Sequence, residues 1–138
     1  MMDDFSQCMV SNTRMAARAM TRRYDAYLRP FGVTATQFSL LGGLSQMPGA
    51  TVSEIADERG FDRTTLTRNL DRLEAMGLIA SHHPEHGNGR ISDVTPKGRA
   101  MLDEALPLWR QAQADMKAEL SSRTFDDSIK MLKRLGKV

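Results

Sequence analysis

Between Thr51 and Gly77 the helix punctuation of this chain leaves room for essentially one arrangement. Thr51-Val52-Ser53-Glu54 is a capping box, a Thr followed three residues on by Glu. It opens a short helix whose apolar positions are Val52, Ile55 and Ala56. Gly60 stands where a helix C-terminal glycine belongs. Asp62 then caps a second helix that the spacing carries to about Met76, with Gly77 as its stop. Two short helices separated by a few residues containing glycine form a helix-turn-helix.

The flanking sequence supplies the rest. From Gln7 to about Arg29, Met15, Ala16, Ala19, Met20 and Tyr24 recur at helical spacing, and Pro30 and Gly32 close the run. Thr34 with Gln37 makes another capping box before a buried helix, Phe38 to Leu44. Gly42 and Gly43 inside it each cost about 1 kcal/mol relative to Ala, and are expected to permit close backbone packing. Leu78–Ser81 and Ile91–Val94 flank the turn-rich Pro84–Gly89, which reads as a β-hairpin. Thr95-Pro96 starts a helix running through Trp109 to about Ser121, interrupted and kinked by Pro107. A final helix holds Phe125, Ile129, Leu132 and Leu135. The expected fold class is mainly α with a small β-hairpin wing.

Composition narrows the function classes. Hydrophobic residues make up 41% and charged residues 26%, which is a globular balance. The net charge of +2 does not by itself announce a nucleic-acid binder, so such a reading must rest on where the charges sit. One cysteine, Cys8, rules out an intramolecular disulfide framework. No apolar run approaches the roughly 20 residues needed to span a bilayer, and the start MMDDFSQC lacks a signal peptide's basic and apolar regions. The expectation is a cytoplasmic protein without a membrane segment. No phosphate loop, metalloprotease pair or Gly-x-Ser-x-Gly motif is present, so no enzyme, cofactor or metal is expected.

The helix after Asp62 carries the functional signal. At about 100° per residue, Leu66, Leu70 and Leu73 share one stripe, and Thr64, Arg68 and Arg72 fall opposite, with Thr65 and Thr67 on the flanks. Arg63 sits at the N-terminal end. Arginine forks match guanine O6 and N7, and threonine meets thymine methyls or phosphate. The second helix of a helix-turn-helix is the one that enters the major groove. Asp71 and Glu74 favour the plainer reading of a solvated face. The hairpin that follows forms a wing, where Arg90 is the basic residue placed to meet the DNA backbone or minor groove.

With these elements in place, the chain resembles the MarR (multiple antibiotic resistance regulator) family of winged-helix transcription factors. The resemblance rests on Thr36-Gln37-Phe38-Ser39-Leu40-Leu41, Val52-Ser53-Glu54-Ile55-Ala56, Asp62 to Arg68, Leu73 to Ile79, and Val94-Thr95-Pro96-Lys97-Gly98. It implies one domain over 1–138. Within it, a winged helix-turn-helix would cover about 34–98, and dimerisation helices about 7–30 and 99–138. It implies a homodimeric repressor on double-stranded DNA, released from a pseudo-palindromic operator by a small molecule or oxidant. DNA contacts would fall to Arg63, Thr64, Thr65, Thr67 and Arg68, with Arg72 beside them. The family's wing tip carries Asp-x-Arg, whereas His86-Gly87-Asn88 stand at those positions here, which makes Arg90 the candidate substitute. The alternative is a winged-helix protein-interaction module that binds no DNA.

Three further candidates remain. One branch of the family senses hydroperoxides through an N-terminal cysteine. Cys8 is the candidate here, activated by nearby arginines, against the plainer reading of a small half-buried side chain. Arg18, Tyr24 and Trp109 are candidates for an effector pocket, against a role in core or dimer interface. His82, His83 and His86 cluster in the wing, but adjacent strand residues face opposite ways, so metal binding is not expected.

Overall fold

The computed structural model describes residues 2–85, 87 and 89–137. Six helices and one hairpin follow in the order α1 (Met9–Leu28), α2 (Ala35–Gln46), α3 (Val52–Arg59), α4 (Arg63–Ala75), β1 (Ile79–His82), β2 (Ile91–Val94), α5 (Pro96–Leu120) and α6 (Ser122–Leu135). Local chemistry sets the starts. The Thr34 and Thr51 hydroxyls accept the N–H groups of Gln37 and Glu54, whose side chains reach back to the cap backbone. Thr95 caps α5 by accepting from the Gly98 N–H at 3.1 Å, with Pro96 in the first turn. Gly60 ends α3 at φ 71°, in the left-handed region that favours glycine.

The core is one cluster centred on α2 and α4. Leu40, Leu41, Leu66, Leu70 and Leu73 are at most 1% exposed, and Leu28, Ile55, Ile79 and Ala105 close around them. Burial of the three α4 leucines fixes the rotation of that helix about its axis. The hairpin pairs antiparallel, Ile79 with Val94 and His82 with Ile91. Thr51 adds a single bridge to Ile91, so the chain entering α3 joins the sheet edge. A Cβ on Gly98 would lie 2.1 Å from the Leu78 carbonyl oxygen, so the first turn of α5 presses directly on the chain entering β1.

Some details differ from the sequence expectation, each for a physical reason. The first helix starts at Met9 rather than Gln7. The Asp4 carboxylate caps a separate single turn, Phe5–Gln7, and Cys8 is extended. Helix α5 runs unbroken through Pro107, because a proline removes only one donor from a ladder of many. Gly42 has open space around it, and Gly43 makes room for the Arg59 guanidinium rather than for another backbone. Between α5 and α6, Ser121 sits at φ 73°, the one non-glycine residue among those described with a positive φ, and its hydroxyl accepts the Thr124 N–H.

Candidate nucleic-acid interface

With Leu66, Leu70 and Leu73 turned inward, the opposite side of α4 is a shallow, open surface lined by Arg63, Thr64, Thr67, Arg68, Asp71 and Arg72. Five of the seven expected DNA-contact residues share this surface. Among the described residues, neither Arg68 nor Arg72 is paired with a carboxylate. Arg63 donates to the Ser53 hydroxyl, which ties the start of α4 to α3. Thr65 is turned away. It is half-buried, and its hydroxyl donates to Asp62 at 2.7 Å while its N–H donates to the same carboxylate at 2.9 Å. Those two bonds hold the Asp62 carboxyl below the usual carboxylate range, the backbone bond being the larger cause.

Arg90 takes a different place from the one expected of a groove contact. Its guanidinium folds back onto α4, donating to Asp71 at 2.8 Å and Glu74 at 3.3 Å, while its Nε donates to Ser81 at 3.0 Å. The two carboxylates lie one turn apart on the helix beside it. Glu74 also accepts the Ser81 N–H at 2.9 Å, and the Arg90 carbonyl accepts the Val52 N–H at 2.8 Å. His86 and Asn88, the wing-tip positions singled out in the sequence, lie outside the described residues. His82 pairs with Asp93 across the hairpin at 2.9 Å, whereas His83 contacts the Gly89 carbonyl at 2.7 Å. The two histidines therefore face different partners.

A second concavity, about 1030 Å³, opens between α1, α2, α5 and α6. Tyr24 and Trp109 line it, with Met20, Phe38, Met116 and Phe125. The Tyr24 hydroxyl donates to the Gln113 side chain, and burial pushes its ionisation upward. Arg18 is not part of it. On an α-helix, Arg18 lies about 120° around from Tyr24, and its side chain is exposed. Arg23 lines the cleft instead, paired with Glu119. At about 100° from Tyr24, Arg23 is hardly nearer in helical phase than Arg18, so its place in the cleft is not legible from spacing, and neither is that of Gln113. Cys8 is half-buried just before α1. Its thiol is lowered by the Ser11 backbone N–H first, then by the Ser11 hydroxyl and the Val10 N–H, so the start of the helix rather than an arginine is responsible.

Known proteins resemble this chain in sequence and in shape. The MarR family profile matches residues 31–89. The HTH-type transcriptional repressor Rv2887 of Mycobacterium tuberculosis is 30% identical over 113 residues, covering 81% of each chain. The M. tuberculosis transcriptional regulator MosR in complex with DNA superposes with a TM-score of 0.82 at 39% identity over 95% of each chain. The transcriptional repressor CouR bound to p-coumaroyl-CoA gives 0.83 at 27% identity, over 98% of this chain and 96% of that one.

Proposed function

The chain belongs to the MarR family, and from that premise we propose that it is a homodimeric, sequence-specific DNA-binding transcriptional repressor. The observation that carries this reading is the outward face of α4. Among the described residues, Arg68 and Arg72 stand there without carboxylate partners, beside Thr64 and Thr67, on a helix whose rotation three buried leucines fix. Arg63, Thr64, Thr67, Arg68 and Arg72 are the base and phosphate contacts, and Thr65 acts through the Asp62 cap. Residues of about 34–98 form the reading module. The helices of about 7–30 and 99–138 pair with a second copy, and Met9, Val10, Met15, Met131 and Leu132 supply exposed apolar side chains for it. No helix of the described residues is long and apolar enough to cross a membrane, and we place the protein in the cytoplasm with the DNA. It works by binding, not by catalysis.

Release from DNA falls to a small molecule in the cleft of Tyr24 and Trp109. The lining favours a largely apolar aromatic compound with a polar group reaching Tyr24 and Gln113. The lowered thiol of Cys8 supports an oxidant as a second trigger. Cumene hydroperoxide should then release DNA from the wild type and not from Cys8→Ser. Selection of bound duplexes from a random pool tests the main reading. It should recover a pseudo-palindrome with half-sites about 34 Å apart, one turn of B-DNA. Failure to enrich any sequence, with no retention of random duplex at low salt, would overturn it.

A further inference from the structure

The α4 face that would meet DNA also carries Asp71, and Glu74 follows one turn later on the edge nearest the hairpin. Two carboxylates beside a phosphate backbone should work against binding. Their side chains are 63% and 44% exposed. The structure answers both with a single guanidinium: the Arg90 fork spans Asp71 and Glu74, and its Nε holds Ser81. Ser81 in turn meets the buried Ser92 at 2.9 Å. Through its carbonyl, Arg90 also anchors the first turn of α3. One residue thus connects α3, α4 and both strands. Arginine has five N–H donors, and Nε and each terminal nitrogen already serve a partner within the chain. Moving this side chain out to a phosphate would strand two carboxylates.

We propose that Arg90 is a positioning residue for DNA binding. It locks the base of the hairpin against α4 and cancels the charge of Asp71 and Glu74, without touching phosphate itself. This rests on the DNA-binding reading above.

The test is a double-mutant cycle on a fluorescein-labelled duplex recovered by the selection, with a random-sequence duplex as control. Arg90→Ala should weaken binding about tenfold or more, the scale of one well-placed charge interaction, while moving the thermal midpoint little, since both carboxylate partners are well solvated. In an Asp71→Asn/Glu74→Gln background the same substitution should cost less than about twofold. In that neutralised background the slope of log K against log salt should be the same with and without Arg90, because no phosphate contact is lost. An equal loss in both backgrounds, with the slope falling by about 0.9, would overturn the proposal in favour of direct contact. No loss in either background would overturn it too. Should Arg90→Ala not fold, Arg90→Lys replaces it in both backgrounds. Lysine keeps a charge for phosphate but cannot span the carboxylates, so the proposal expects a loss only where Asp71 and Glu74 remain. A wild type that binds neither duplex would instead sink the DNA-binding reading.

Discussion

At the scale of single residues, two positions on α4 separate contact from support. Arg68 stands on the exposed face with no carboxylate partner among the described residues. Arg68→Ala should lose about 1–3 kcal/mol of operator binding and relax preference at one base pair, the behaviour of a bidentate base contact. Titration of the selected duplex and its single-base variants checks this. Asp62 supports the helix from its N-terminal end. Its carboxyl is depressed by the Thr65 N–H and hydroxyl, so it stabilises the fold fully above the unfolded value of about 3.9. That contribution disappears as pH falls through the lower folded value. The wild type should therefore out-melt Asp62→Asn at neutral pH, and the gap should close in acid. Much of this site was legible in the sequence, because leucine spacing fixes which side of a helix is buried, and the opposite side then follows. What was not legible is who neutralises whom. Arg90 and Glu74 are 16 residues apart, and only the folded hairpin reveals that they meet.

At the scale of elements, capping chemistry carried the prediction. Thr34, Thr51, Asp62 and Thr95 each begin the helix expected of them, because a side-chain acceptor three residues ahead of an N–H is a local device that needs no tertiary context. Elements that depend on neighbours were harder. The Thr51–Ile91 bridge spans 40 positions and leaves no local trace. Pro107 interrupts the helical pattern of the sequence, yet α5 runs unbroken past it with one backbone donor fewer. Gly98 is where two elements touch most closely, and its role follows from contact with Leu78 rather than from helix propensity. Gly98→Ala should cost roughly 1–3 kcal/mol, as overpacking does, and lower the chemical denaturation midpoint. Unchanged stability would mean that α5 and β1 separate more easily than their contact suggests.

At the scale of the whole molecule, the two concavities lie on separate parts of the chain, α4 for DNA and the α1–α2–α5–α6 cleft for an effector. Trp109→Ala should abolish release by a cleft ligand while leaving DNA affinity within about twofold, since the residue lines the cleft and not the outward face of α4; the ligand's own heat of binding, by calorimetry, should vanish in parallel. The exposed apolar side of α6 requires a partner. Leu132→Asp should give monomers by sedimentation and cut operator affinity about a hundredfold or more, because joined half-sites gain from effective concentration. One corner of the backbone sets how α6 leaves α5. Ser121 turns the chain from α5 into α6 in a conformation that costs a serine of order 1 kcal/mol. A glycine would sit there more comfortably but would also let the corner hinge. The strain thus acts as a brace: it holds one angle between α5 and α6, and so fixes the direction in which the exposed apolar side of α6 faces.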